Sequence, residues 1–192
     1  MDGSDHAVVP EAAILGGRSE LPVHICVLET GGTINGILDP DAPPPESSRV
    51  LAWLQEHSAR LQLECESRLV VMKDSRALNA SDRARLVAAI ESQAAQRILV
   101  PHGTYTMPET GVYLRERLGG NALKKSIVLV GSLVPLGEPG SDAPAALEFA
   151  LTKLREGPAG VWIAMGERLW HPEEVVKDAA TGHYVARADP GS

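Results

Sequence analysis

Short apolar runs alternate along the chain with stretches of helical periodicity. The runs are rich in Val, Ile and Leu and end at glycine, proline or polar residues, which is typical of buried β-strands at 23–28, 69–72, 97–101, 126–130 and 160–165. Helical spacing predicts helices at 48–59, after a cap at Asn79 or Ser81, from 108 to the glycines at 119–120, and at 143–155. This alternation predicts an α/β protein with three α/β/α layers around an open, mostly parallel sheet.

The segments outside this pattern define the predicted domain. We expect residues 1–21 to be a flexible leader, 22–186 a single α/β domain, and 187–192 a flexible tail. Prolines exclude regular helix or central strand between residues 35 and 48. That loop is either a lid over a site or a plain surface excursion. A short hairpin is predicted around Thr181 and Gly182.

Composition and charge narrow the function classes. The chain has 192 residues, 44% of them hydrophobic, and a formal net charge of −7, so it has no basic surface for a nucleic-acid partner. No apolar run is long enough to span a membrane, and no basic segment precedes the apolar residues 12–15, which favours the cytoplasm. We expect Cys26 and Cys65 to be buried free thiols.

Hydroxyl and acidic side chains follow three neighbouring strands. For a flavodoxin-like strand order, 2-1-3-4-5, ligands bind between the ends of the first and third strands. Those strands run into Gly31-Gly32-Thr33 and His102-Gly103-Thr104, and the second strand runs into Asp74-Ser75. A threonine becomes a nucleophile when a base takes its proton and donors hold the oxyanion, and backbone N–H groups in the glycine turns are candidate donors.

Several cofactor motifs are missing from the sequence. There is no dinucleotide-binding G-x-G-x-x-G and no phosphate-binding P-loop, and no Cys/His cluster has zinc spacing. His102 stands alone before a glycine, so we interpret it as a packing or loop-positioning residue rather than a metal ligand. The sequence therefore predicts no metal and no organic cofactor.

Two segments resemble signatures of the bacterial-type L-asparaginases. Thr30-Gly31-Gly32-Thr33-Ile34 is similar to their TGGTI motif, and His102 to Met107 is similar to their HGTDTM motif. The resemblance covers residues 23–184 and implies the fold of the asparaginase N-terminal domain. It implies that Thr33 is the nucleophile, Thr104 the second catalytic threonine and Lys125 the lysine beside it. It also implies that Asp74, Ser75, Gly32 and Gly103 bind the substrate.

The sequence departs from the family pattern in three ways. Tyr105 stands where the family has a catalytic aspartate, and a phenol carries no negative charge at neutral pH. We keep it as a catalytic candidate that either donates a hydrogen bond or replaces the tyrosine of the missing lid. No tyrosine lies between Ile34 and Val50, where the family's mobile loop has one. The chain ends near the place where the usual second domain begins, so it resembles a short, single-domain branch of the family. The resemblance also implies a homo-oligomer, a dimer or tetramer.

Two functional hypotheses follow. The first is an amidohydrolase that converts L-asparagine to L-aspartate and ammonia through a threonyl ester, with glutamine as a possible second substrate. The alternative is a catalytically weak, asparaginase-like module that binds an amino acid or amide, for which Tyr105 is the main support. A nucleotide-binding domain is less favoured, because the phosphate-binding motifs are missing.

Overall fold

A six-stranded sheet forms the centre of the computed structural model, which describes residues 22–41, 43–120 and 122–188. The strand order is β2-β1-β3-β4-β5-β6, so the predicted flavodoxin-like order of the first five strands is confirmed. Those five strands are parallel, and β6 pairs with β5 in the antiparallel direction. The strands are β1 (Val23–Gly31), β2 (Leu63–Lys73), β3 (Arg97–Pro101), β4 (Ser126–Val130), β5 (Gly160–Met165) and β6 (Arg168–Trp170).

In the described part of the chain, four α-helices cover the two faces of the sheet. They are α1 (Arg49–Leu61), α2 (Ala80–Ser92), α3 (Met107–Arg117) and α4 (Ala143–Glu156). Helices α2 and α3 contribute to one hydrophobic core cluster, and α1 and α4 contribute to the other. Since the central strands are buried on both faces, they read as continuous apolar runs in the sequence. Among the described residues, no helix is long and apolar enough to cross a membrane.

The helix starts follow the caps visible in the sequence. The Ser48 hydroxyl accepts a hydrogen bond from the backbone of Leu51 at the start of α1. Asn79 and Asp82 form a reciprocal capping box at the start of α2, which selects Asn79 over Ser81 as the cap. These contacts satisfy N–H groups that the first helical turn would otherwise leave without partners.

Strand β2 differs from the sequence-based expectation in its start and in the exposure of Cys65. β2 begins at Leu63, well before the predicted run, because Leu63 to Leu69 pair with β1 residue by residue. Residues 64–69 are exposed along this edge strand, so their polar character hides the strand in the sequence. Cys65 is exposed, not buried as expected, whereas Cys26 is buried; both are free.

A two-stranded hairpin follows the sheet, as the turn at Thr181 and Gly182 predicts. It consists of β7 (Val175–Lys177) and β8 (Tyr184–Ala186), and Lys177 pairs directly with Tyr184. The expected flexible leader 1–21 and the last four residues of the expected flexible tail lie outside the described residues.

Candidate active site

Three strand ends meet through closely packed glycines at the carboxyl edge of the sheet. Gly32, after β1, has a φ of +84°, and a Cβ there would overlap with the backbone of Gly103 after β3. A Cβ at Gly103 would lie 2.7 Å from the Cβ of Ser75, which follows β2. Glycine is therefore required at both positions, because only a missing side chain allows this approach. The contact brings together the residues that follow each strand: Thr33, Thr104 and Ser75.

Thr33 begins a short 3-10 helix that is held in place by the buried carboxylate of Glu29. Asn35 donates to Glu29 over 3.0 Å, and the Ser48 hydroxyl donates to the other oxygen of Glu29 over 2.9 Å. Burial raises the pKa of Glu29, and the two hydrogen bonds oppose that rise. The Thr33 hydroxyl itself makes no hydrogen bond with the residues that the structure describes, so it is available to a ligand.

Thr104 is held by the hairpin. Lys177 Nζ donates to Thr104 Oγ1 over 2.8 Å, and the Tyr184 hydroxyl donates to the Thr104 carbonyl over 2.7 Å. Burial lowers the pKa of Lys177, the charge of Arg76 lowers it further, and Asp74 opposes both. A lysine with a lowered pKa beside a threonine hydroxyl is a suitable proton acceptor.

Tyr105 covers this lysine with the face of its ring. Lys177 Nζ lies 3.7 Å from the ring centroid, and Arg76 Cζ lies 4.5 Å from it. A cation over an aromatic face is stabilised by the ring quadrupole, at about 0.5–1 kcal/mol where the site is exposed. Tyr105, which is half exposed, thus links the lysine on the hairpin to the arginine that follows β2.

Asp74 and Ser75 are both buried, but their roles differ. The Asp74 carboxylate accepts hydrogen bonds from the backbone and the guanidinium of Arg76. Burial alone would raise the pKa of Asp74, yet those hydrogen bonds and the charges of Arg76 and Lys177 bring it below its usual value. The Ser75 hydroxyl accepts a 3.3 Å hydrogen bond from the backbone of Thr106, which leaves its proton available.

His102 positions the loop, in agreement with the interpretation from the sequence. It is fully buried, with Nδ1 2.7 Å from the Gly103 carbonyl and Nε2 3.0 Å from the Thr110 hydroxyl. Burial lowers the pKa of His102 to about 4, so the ring is neutral and donates one hydrogen bond to the carbonyl. Among the described residues, no group of three His, Cys, Asp or Glu side chains could hold a metal ion.

Lys125 does not lie beside Thr104, which contradicts the role that the resemblance implied. It precedes β4, whereas Thr104 follows β3, and the two strands are parallel neighbours, so the residues lie at opposite ends of the sheet. Lys125 Nζ donates instead to the carbonyls of Ile90 and Gln93 at the end of α2. Its position before β4 excludes Lys125 from the site, because only the carboxyl ends of the strands meet there.

Lys177, Tyr184 and Arg76 are residues of the site that the sequence motifs do not indicate. The signal for the first two was the predicted hairpin, whose register sets a lysine opposite a tyrosine. The only signal for Arg76 is its position directly after the Asp74-Ser75 pair. The loop after Thr33 reaches the site through Arg76, which donates to the Leu38 carbonyl over 3.0 Å; its role as a lid stays a prediction.

Comparisons with known proteins agree on one family. The family described as "Asparaginase, N-terminal" matches residues 24–185. An L-asparaginase of Thermococcus kodakarensis is 34% identical over 85 residues, which are 44% of this chain and 25% of that protein. The solved thermostable L-asparaginase from the same organism superposes with a TM-score of 0.74 at 27% identity, covering 88% of this chain and 52% of that one.

A third relative shares the fold at lower identity. The probable cytoplasmic L-asparaginase from Campylobacter jejuni superposes with a TM-score of 0.69 at 22% identity, covering 85% of this chain and 53% of that one. The chain thus spans about half the length of these solved relatives. Because the family match covers most of the sequence, with both glycine–threonine turns inside it, the chain belongs to the asparaginase family.

Proposed function

We propose that this chain is an amidohydrolase that converts L-asparagine to L-aspartate and ammonia through a threonyl ester. The observation that carries the proposal is the Lys177–Thr104 hydrogen bond, formed next to the contact between Gly32 and Gly103. Thr33 follows the first of these glycines and Thr104 follows the second. A nucleophile, a proton acceptor and a turn of backbone amides are therefore available at one place.

In the first half-reaction the Thr33 oxygen attacks the side-chain amide carbon. The hydroxyl proton passes to the Thr104–Lys177 pair while the carbonyl oxygen becomes an oxyanion. The Gly32 N–H is already bonded to the Lys73 carbonyl, so we assign the oxyanion to the N–H groups of Thr33 and Thr104, which have no partner among the described residues. The C–N bond then breaks and the stored proton moves to nitrogen. Ammonia departs, and the acyl group remains on Thr33 as an ester.

The second half-reaction hydrolyses that ester. A water molecule gives one proton to the Thr104–Lys177 pair and attacks the ester carbon. The C–O bond to Thr33 breaks, and the proton returns to the Thr33 oxygen as the free acid forms. Neutral Lys177 accepts the proton in both halves, and neither half needs a metal or an organic cofactor.

The substrate lies over the glycine junction in this proposal. Gly32 and Gly103 allow it to approach the backbone, and Ser75 donates a hydrogen bond to its carboxylate, while Asp74 acts through Arg76. Glutamine is a candidate second substrate. We further propose, from the family membership, a homo-oligomer, dimer or tetramer, in the cytoplasm and without a membrane partner. The net charge of −7 supports the absence of a nucleic-acid partner.

A binding module with weak turnover is the second candidate. Two observations favour it: Tyr105 contributes a ring where a carboxylate was expected, and Asp74 is already bonded to Arg76. Such a module would hold an amide over the same glycine junction without forming the ester. The two candidates differ in one measurable property, the dependence of ammonia release on Thr33.

Ammonia release from L-asparagine and L-glutamine tests the proposal. We expect Thr33→Ala to lower kcat by about 10³-fold or more, because the ester cannot form. The matched control is Thr152→Ala on α4, an exposed threonine whose hydroxyl only donates to its own helix. Both variants keep the wild-type unfolding temperature. Full activity in Thr33→Ala would contradict the proposed nucleophile, and no release from the folded wild type would favour the binding module.

A further inference from the structure

The described residues around the two threonines include basic side chains but no carboxylate that is free for a ligand. The cation Arg76 and the proposed base Lys177 both lie against the ring of Tyr105. Asp74 is the carboxylate that acts on the charge of Lys177. A substrate with an ammonium group therefore needs Asp74, or another carboxylate at the same place, to balance its charge.

Asp74 is already used by Arg76. One carboxylate oxygen accepts from the Arg76 backbone over 2.8 Å and from Nε over 2.9 Å, and the other accepts from Nη2 over 3.0 Å. The Asp74 side chain is only 4% exposed, so a ligand has little access to it. A bidentate pair of this kind neutralises the carboxylate and fixes its geometry. Asp74 is thus not available to a substrate ammonium group.

Other carboxylates near the site are also turned to different partners. Glu29 is buried and bonded to Asn35 and Ser48 beneath Thr33. Asp39, on the exposed loop, acts on the charge of Arg76, and its oxygen Oδ1 accepts from the backbone of Asp41. Tyr105 offers an aromatic face to Lys177 rather than a negative charge.

Arg76, in contrast, keeps donors for an anion. Its Nε and Nη2 atoms bind Asp74 and the Leu38 carbonyl, while Nη1 has no partner among the described residues. The side chain is 40% exposed, so this edge of the guanidinium can be reached by a small molecule. A guanidinium edge of this kind favours a carboxylate.

We propose that the preferred substrate is a primary amide that carries a carboxylate but no ammonium group next to it. Succinamate, the L-asparagine skeleton with hydrogen in place of the ammonium, is the simplest member of this class. This inference rests on the proposed amide hydrolysis and narrows it. L-Asparagine is hydrolysed at the same site but more slowly, because its ammonium lies near the Arg76 guanidinium while Asp74 is already paired with that residue.

The test compares kcat/KM for succinamate and for L-asparagine. We expect the ratio to favour succinamate by about tenfold or more in the wild type, since the ammonium of L-asparagine loses water and gains no free carboxylate beside Arg76. Tyr105→Asp adds a carboxylate beside Lys177 and should shift the ratio towards L-asparagine. Tyr105→Asn removes the ring without adding charge, so it should not produce that shift.

A second pair of variants tests Arg76. Arg76→Gln frees Asp74 and removes a cation, so the ratio should again move towards L-asparagine. The matched control is Arg85→Gln, since Arg85 is also an exposed arginine paired with a buried aspartate, Asp82, and that aspartate keeps its 2.9 Å contact with Lys73. The ratio in Arg85→Gln should equal that of the wild type.

Failure of this inference is distinguishable from failure of the proposed function. If release depends on Thr33 but L-asparagine is the better substrate, the hydrolase stands and the inference is overturned. If neither amide is hydrolysed, the proposed function fails, and calorimetric binding of succinate and L-aspartate decides the preference directly. Tighter binding of succinate would then support the charge argument, and equal or tighter binding of L-aspartate would overturn it.

Discussion

Lys177 differs from most lysines of the chain because three neighbours shield its ammonium in part from water. It lies against the Thr104 hydroxyl and the Tyr105 ring, within the influence of Arg76. Burial and the nearby guanidinium both disfavour its charged form, so its pKa falls below the usual 10.5. At the residue scale, this lysine is the group whose protonation state controls the proposed chemistry.

The pH dependence of hydrolysis tests whether the protonation state of Lys177 controls the reaction. Protonated Lys177 cannot accept a proton, so kcat/KM should rise as pH rises through its pKa and then level off. Arg76 lowers that pKa and Asp74 raises it, so Arg76→Gln should move the midpoint of the rise to higher pH. The pH profile of ammonia release measures the shift, with Arg85→Gln as the control. A midpoint that stays in place or moves to lower pH would contradict the assignment of Lys177 as the base.

The direction of each strand determines which residues reach the site, and it explains why Lys125 does not have the catalytic role that the resemblance implied. The sequence indicated a lysine next to β4, and the resemblance gave it a catalytic role. A parallel strand has its amino end far from the site, however, and Lys125 precedes Ser126, the first residue of β4. Its ammonium instead binds two carbonyls at the end of α2, where the helix dipole favours a positive charge.

Paired methionine substitutions separate the two lysines. Lys125→Met should lower the free energy of unfolding by about 2 kcal/mol, since it removes hydrogen bonds from a charged group, with unchanged activity per folded molecule. Lys177→Met should lower kcat by about 10²–10⁴-fold with little change in stability. Urea unfolding and ammonia release measure both effects, and Lys124→Met, an exposed neighbour, is the control. The reverse pattern would restore the catalytic role to Lys125.

The sequence reveals the strands that are buried on both faces but not those at the edges of the sheet. The buried strands β1, β3, β4 and β5 are visible because both of their faces need apolar residues. The first half of β2 has water on one side and partners from β1 on the other, so Glu64, Glu66 and Arg68 conceal it. The three-residue strand β6 is defined only by its pairing with β5 and has no pattern of its own.

At the scale of the whole molecule, the strand order was predictable, but the contact between the hairpin and Thr104 was not. The reversal of order between β1 and β3 brings Thr33 and Thr104 to one crevice, and βαβ alternation predicts that once a flavodoxin-like order is assumed. The hairpin is separated from Thr104 by more than 70 positions in the chain, and it reaches the site through side chains. Local sequence indicates a hairpin there, but the surface it packs against depends on the folded sheet.

Substitution of Tyr184 tests the long-range contact between the hairpin and Thr104. Its hydroxyl donates to the Thr104 carbonyl, and Thr104 is only 2% exposed, so Tyr184→Phe leaves a buried acceptor without its partner. We expect the free energy of unfolding to fall by about 1–2 kcal/mol. Lys177 is the register partner of Tyr184, so its ammonium should also lose its fixed position, and kcat should fall by about tenfold.

Kinetics and urea unfolding of Tyr184→Phe separate a positioning role from a purely structural one. The matched control is Tyr113→Phe on α3, a tyrosine that lies against Arg117 rather than the site. A positioning role lowers kcat in Tyr184→Phe under conditions where both variants are fully folded. A loss of stability with unchanged kcat would mean that the hairpin only closes the fold. In that case Lys177 would be held by Thr104 and the Tyr105 ring alone.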